Sequence, residues 1–465
     1  MNGCASSEER GEGMEDWTKP IDVGSIPENN SHFDVIVVGG GPGGSAAASY
    51  NAMKGRKVLL LEKEVWPRDK ICGDAVGGKS LRHVKELGVK MMIEKTPHFR
   101  VDSIIMSSSN GKNVKIDLPK EAYEKLEAGY SLPRIQFDYM MFKRATEIVL
   151  ENGGSVIQGF SVKDIRIDED KGMKKIVGIS GKTIEGGELS FTSLVTIGAG
   201  GYNCPVAKTI TEDIHDEPMR DIEHYCGAYR EYWSNVKGCE GDSGSIEIHF
   251  IDDVNPGYFW IFPVNDGTVN VGIGMVISEQ RKQHGIKKSL KKMQKNVIEN
   301  NPIFRERFIG ATLIEGTEKG WQLPFGSPRK NAPSHQPRRS AMAGAMCVGD
   351  AASLVDPFSG EGIGNALVSA KMTAEIFDPS VHSYGFSEES AEIYMKELWE
   401  KLGPELTNSY ALQKVVKKKW LMNWFMKKAS KKEAIREMMT EMIAGKEASG
   451  GVYSKWFVAK SLLLP

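Results

Sequence analysis

The sequence predicts an α/β fold, α+β overall: a Rossmann-type domain with a parallel sheet, an antiparallel sheet inserted into it, and a helical C-terminal region. Three observations predict it. A strand, glycine turn, helix and strand follow one another from Phe33; a second glycine-rich turn feeding a helix lies about three hundred residues on; and segments between them, such as SIEIHFI and TVNVGIGMVI, alternate as antiparallel strands do.

The first unit reads FDVIVVGGGPGGSAAASYNAMKGRKVLLLEKE. Its β-branched run, Val35 to Val38, predicts a buried strand, and Val58 to Leu61 predicts the next. Gly39, Gly41 and Gly44 stand at GxGxxG spacing, with Pro42 and Gly43 between them. The first glycine permits the tight turn, the second lets backbone approach a pyrophosphate, and the third lets helix pack on strand. Unpaired N–H groups at the helix start favour the phosphate charge. Glu62 ends the second strand where a carboxylate accepts from ribose hydroxyls. A dinucleotide site follows, without a choice between FAD and NAD.

The second unit, AMCVGDAASLVDPFSGEGIGNALVSAKMTAEIF, makes that choice. A short strand, Met346 to Val348, ends at Gly349-Asp350, and a Pro/Gly loop enters an Ala-rich helix near Gly364. Asp350 can reach a polyol while the second helix turns its N-terminus to the same cofactor. NAD enzymes have no use for this second element, whereas a flavin with a ribityl chain does.

Together these motifs resemble the FAD-binding pattern of the p-hydroxybenzoate hydroxylase-type flavoprotein superfamily. The resemblance implies FAD as cofactor, Asp350 on the ribityl chain, and Pro357, Gly360, Gly362, Ile363 and Gly364 against the isoalloxazine. It extends to SLPRIQFDYMMFK, whose Arg134 borders the flavin, and adds Lys63 and Arg68 behind Glu62. Where the superfamily has an Asp-Ala-Asp/Gly-Gly run, this chain has Ile197-Gly198-Ala199-Gly200 and lacks the acid. Gly200 still permits close backbone approach.

Two further stretches resemble one branch, the geranylgeranyl reductases. EVWPRDKICGDAVGGKSL matches the segment after that family's second strand and brings Cys72 and Gly73 to the flavin. NPGYFWIFPVNDGTVNVGIGM matches its Pro-x-x-Tyr-x-Trp-x-Phe-Pro pattern. Strand alternation puts Tyr258, Trp260 and Phe262 on one face and Phe259 and Ile261 on the other; Trp321 joins the expected lipid wall. The resemblance implies saturation of C=C bonds in geranylgeranyl chains of archaeal-type membrane lipids or their precursors, by hydride from reduced flavin plus a proton. Cys72 and Asp74 are the candidate proton donors, and the π-faces of Tyr258 and Trp260 would stabilise cationic character. The electron donor is left open among NADPH, a ferredoxin and a deazaflavin. A monooxygenase or halogenase of the same fold, and a membrane-linked electron-transfer flavoprotein, are the alternatives.

Composition narrows the partners. With 60 basic and 61 acidic side chains, no whole-chain field favours nucleic acid. The six cysteines are scattered, without metal-ligand spacing, so no metal is expected. No apolar run approaches the eighteen or so residues of a spanning helix, so a cytoplasmic protein, peripheral on the inner membrane face, is expected. LQKVVKKKWLMNWFMKKASKK, from Leu412 to Lys432, holds eight lysines around Trp420 to Met426 and no acid, a composition suited to anionic head groups. GSPRKNAPSHQPRRS gathers Arg329, Lys330, Arg338 and Arg339 in a loop that is either solvated or placed to meet a lipid phosphate. The expected units are a disordered tail (1–32), a discontinuous FAD domain (33–95, 131–215, 337–377), a substrate domain (96–130, 216–336) and the helical region (378–465).

Overall fold

The computed structural model describes residues 16–118, 129–285, 289–330, 332 and 336–433. Two sheets organise them. In the first, β1 (His32–Val38), β2 (Val58–Glu62), β7 (Ser155–Gln158), β10 (Glu188–Gly198) and β18 (Ala345–Cys347) run parallel in the order β18-β10-β1-β2-β7. β17 (Ala341–Met342) closes one edge, and the long hairpin of β8 (Phe160–Asp170) and β9 (Met173–Thr183) pairs with the start of β10. Every residue of β2 is buried, as a strand covered by helices on both faces requires.

α1 (Pro42–Met53) starts on a proline at its first turn and packs through Ala46, Ala47, Ala48 and Ala52, all fully buried. These small side chains let it lie against both α2 (Arg134–Glu151) and a later helix, Ile363–Ile376.

The second sheet follows the order β15-β11-β14-β13-β12-β4-β6-β3. Its members are β3 (Ala75–Val76), β4 (Phe99–Ser107), β5 (Asn113–Asp117), β6 (Tyr130–Ser131), β11 (Tyr225–Ser234), β12 (Ser243–His249), β13 (Gly257–Asn265), β14 (Thr268–Val276), β15 (Thr312–Leu313) and β16 (Lys319–Pro324). Most neighbours are antiparallel, but β4 and β12 pair in parallel. One face of β13 meets α3 (Leu290–Asn300) through Phe259 and Ile261. The helices α4 (Ile363–Ile376), α5 (Glu388–Val416) and α6 (Lys419–Ala429) complete the described chain.

Three features depart from the sequence expectation. Part of the N-terminal segment is packed: Ile21 is buried, its carbonyl accepts from Gln158 Nε2 at 2.9 Å, and Asn30 N–H donates to Ser190 O at 2.8 Å. Ala75–Val76, within the segment assigned to the FAD domain, pairs with β6 in the second sheet. The basic loop is neither solvated nor free for phosphate at its arginines. Arg338 is buried and donates to the carbonyls of Met219, Asp350 and Ala351, Arg329 is buried beside Ser353, and Arg339 pairs with Glu217. At Arg338, backbone carbonyls take the place that a phosphate would have filled. The expected tail residues 1–15, and the chain beyond 433 with its apolar end, lie outside the described residues.

Candidate functional site

The turns after β1, β10 and β18 converge at the C-terminal ends of the parallel strands, where ligands bind in such sheets. A cavity begins there, about 1350 Å³ with its open mouth, and continues under the second sheet. Gly41, Pro42, Gly43, Gly349 and Asp350 line one end.

The glycines divide by task. Gly39 has φ +113°, and a Cβ there would stand 2.5 Å from Ala199 O; one on Gly44 would stand 1.7 Å from Gly39 O. These two shape the turn and the helix crossing rather than line the cavity. Gly41 faces open space, and a Cβ on it would meet only an Arg68 nitrogen, at 3.5 Å. That is a cradle a side chain would fill, and it fits a pyrophosphate on the helix N-terminus. Gly200 packs on Cys204, leaving Ala199 and Gly201 to line the cavity.

A buried charge chain runs from the ribose end to the reactive end. Glu62 accepts from Gly40 N–H at 2.9 Å and from Arg68 at 3.4 Å. Arg68 lies over the Trp66 ring and donates to Asp138 at 3.1 Å. Arg134 grips Asp138 through Nε at 2.6 Å and Nη2 at 2.9 Å, and its guanidinium shares the cavity lining with Cys72. Burial alone would raise the Asp138 pKa, but Arg134 and Arg68 hold it below the usual range. Lys63, by contrast, is exposed, pairs with Glu64 and does not line the cavity.

Beyond Cys72, Gly73 and Arg134 the cavity turns apolar. Tyr258, Trp260 and Phe262 form one wall, as strand alternation predicts. Phe250, Phe358, Leu323 and Phe325 extend the apolar lining. The hydroxyl of Tyr258 donates to Ser359 O, and a Cβ on Gly360, which has φ +73°, would stand 2.8 Å from that hydroxyl. The aromatic strand is thereby fixed to the loop of Pro357, Gly360, Gly362 and Ile363, all cavity-lining. Gly364 lies outside the lining, with Lys79 and Glu361 filling the space a Cβ would take. Trp321 also fails to reach the cavity; Leu323, one pleat on along β16, supplies that wall.

Asp74 corrects the sequence reading most sharply. It is fully buried, has φ +70° and does not line the cavity. Its oxygens accept from Arg134 N–H at 3.2 Å, Tyr232 Oη at 2.5 Å and Asn270 Nδ2 at 2.7 Å. With every near partner a donor to it, Asp74 anchors the loop and is no proton donor to a substrate. Burial pushes its pKa from 3.8 up to about 6, against the opposing pull of Arg230, Tyr232 and Asn270.

The folded state thus holds this proton more tightly than the unfolded chain. Its stabilising contribution is fully present below about pH 4 and is lost as pH rises through about 6, a loss of about 3 kcal/mol. Urea unfolding of wild type and Asp74→Asn between about pH 3 and pH 8 should show wild type losing that much relative to the variant; a flat difference would refute the assignment.

Sequence reasoning missed Asn270, Tyr232, Lys70 and Gln413. Asn270 donates to Cys72 O at 2.7 Å and accepts from the Trp260 indole at 2.8 Å, so one side chain joins both walls. Lys70 lies 3.4 Å from Asp350 in the cofactor end, and Gln413 of α5 lines the cavity from the C-terminal region. A lone Asn in an alternating strand carries no signal for such a role.

The residues present fit FAD: an open glycine cradle, Glu62 at the second strand end, Asp350 at the second turn, and a glycine-lined loop beside an apolar wall. Among the described residues no cluster of His, Cys, Asp and Glu could hold a metal, and no helix is long and apolar enough to cross a membrane.

Comparison with known proteins agrees. A family model described as FAD dependent oxidoreductase matches residues 34–199, and one described as geranylgeranyl reductase catalytic domain matches 225–310. Digeranylgeranylglycerophospholipid reductase 2 of Methanococcoides burtonii is 30% identical over 384 residues, covering 81% of this chain and 82% of that protein. Menaquinone reductase of Mycobacterium tuberculosis is 28% identical over 352 residues, 74% and 76% of the two chains. The crystal structure of a geranylgeranyl bacteriochlorophyll reductase-like protein from Thermoplasma acidophilum superposes with a TM-score of 0.68 at 21% identity, covering 90% of this chain and 97% of that one. With its cofactor cradle, its aromatic wall and a relative of this identity along four-fifths of its length, the chain belongs to the geranylgeranyl reductase family and is an FAD-dependent oxidoreductase.

Proposed function

We propose that this enzyme saturates isolated C=C bonds in the polyprenyl chain of a membrane lipid or lipid precursor. The observation that carries the proposal is the continuity of the cavity: the charged cofactor end passes Cys72 and Arg134 and opens directly onto an apolar aromatic wall. A trisubstituted alkene has no carbonyl to polarise it, so reduction needs a proton at one carbon as hydride arrives at the other. Bound, reduced FAD supplies the hydride.

The chain supplies the rest. Cys72 is the half-buried, cavity-lining thiol at the junction of the two environments, and it is the group proposed to give the proton. Arg134, lining the cavity with Cys72, is proposed to orient the thiol, and Asp138 fixes Arg134. Tyr258 and Trp260, on the apolar wall, would offer π-faces to positive charge developing at the tertiary carbon.

Relatives named digeranylgeranylglycerophospholipid reductase and menaquinone reductase favour two classes of head group on such a chain, and both serve as substrates in the test. Holoenzyme reduced with dithionite, which bypasses the unassigned donor, is expected to add mass in units of two hydrogens to the prenyl chain. Cys72→Ala and Cys72→Ser should each lower turnover about 100-fold at unchanged flavin content. Unchanged lipids with a reducible flavin would overturn the reductase reading; full turnover in both variants would remove Cys72 as the proton donor.

A further inference from the structure

The C-terminal helices do more than cover the second sheet. α5 ends at the cavity: Gln413 and Val416 line it, and Asn255 Nδ2 donates to Val416 O at 2.9 Å, tying the helix end to the cavity rim beside Pro256. The chain turns through Lys417 and Lys418 into α6, whose Met422, Met426 and Ala429 are buried in the same cluster as Val114 and Ile116 of β5. That inner face accounts for part of the apolar run. It leaves Trp420, 68% exposed and next to the turn, with Trp424 and Lys427 along the same stripe.

We infer that this α5–α6 corner docks the enzyme on an anionic lipid bilayer, with Trp420 entering the head-group region and the cavity rim facing the membrane. Charge complementarity selects the partner. Eight lysines and no acid lie between Leu412 and Lys432. Lys417 pairs with Glu279 and Lys419 lies 3.4 Å from Asp252, while Lys418, Lys427 and Lys431 are exposed. Asp253 and Glu433, both exposed, are further acids adjoining these groups, and the balance stays basic. An indole flanked by ammonium groups is the combination that favours a water–lipid interface with negative head groups.

The position of the corner gives the contact a use. A prenyl chain leaving the bilayer at the α5 end would reach the Tyr258 wall without crossing water. That consequence rests on the reductase reading; the docking itself does not, and it is tested without substrate.

Full-length holoenzyme is mixed with vesicles of phosphatidylcholine alone or with phosphatidylglycerol, at about 0.1 M and about 1 M salt, and sedimented. Binding is expected only to the vesicles containing phosphatidylglycerol, and weakened at high salt. Lys418→Glu with Lys427→Glu should lower partitioning at least 20-fold, at about fivefold for each lysine lost, and Trp420→Ser by a similar order. Flavin content and melting temperature should be unchanged in these surface variants. Brominated lipid should quench a fluorescence component that Trp420→Phe lacks. Equal binding to both vesicle types, or variants that bind as wild type does, would overturn the inference. So would self-association without vesicles that Trp420→Ser abolishes, because the corner would then be a contact between copies.

Discussion

Arg134→Leu is expected to cost about 3 to 5 kcal/mol of unfolding free energy and to yield protein that retains little flavin. Arg134 and Asp138 are both fully enclosed, and the guanidinium meets the carboxylate in two hydrogen bonds. Removing one member of a buried pair leaves an uncompensated charge, which costs more than the pair's net stabilisation. Arg68 keeps one contact to Asp138, which sets the effect at the lower end of the range. Arg134→Leu combined with Asp138→Leu should regain most of the stability and none of the activity, since no group then orients the Cys72 thiol. Denaturant unfolding and the flavin spectrum of the purified variants measure both. A single variant within about 1 kcal/mol of wild type would mean that water reaches Asp138 and that the pair is not closed.

Asn270→Leu is expected to be nearly as costly for stability and more damaging for turnover. It strips a partner from the Cys72 carbonyl, the Asp74 carboxylate and the Trp260 indole at once, and buried polar groups without partners cost about 1 to 3 kcal/mol each. Leucine roughly preserves the volume, so the loss isolates the polar contacts. If Asn270 acts by holding the indole, its effect on turnover should shrink in a Trp260→Phe background, where no indole N–H remains. Additive effects in that double-mutant cycle would show that the two act separately.

These two residues mark the boundary of what the sequence made legible. The cofactor turns were readable because their requirement is local: Gly39 and Gly44 meet backbone within a few residues or one strand away, and the spacing records it. The aromatic wall was readable because period-two alternation maps directly onto a face of β13. Asp74 was misjudged because a carboxylate beside a thiol looks chemical until its donors are known, and two of them lie about 160 and 200 positions away. The same limit applies to Arg338 and Arg329. A run of basic residues between prolines reads as solvated, and nothing in the sequence marks the carbonyls that wait for Arg338 or the hydroxyl beside Arg329. Trp321 shows the smaller error of register, a correct face one pleat short.

The segment that carries Cys72 is held at both ends by different parts of the molecule. Upstream, Arg68 is fastened to Glu62 and Asp138; downstream, Asp74 is locked by Tyr232 and Asn270, and Ala75–Val76 is stitched into the second sheet. The thiol therefore sits on a taut bridge whose span is measured by two independently built supports. Such a bridge tolerates changes of residue type more readily than changes of length, because one extra residue would slacken it and turn the sulfur away from the cavity. It also means that this wall does not exist until both supports have formed, so neither half of the protein alone can present the Cys72 thiol to the cavity.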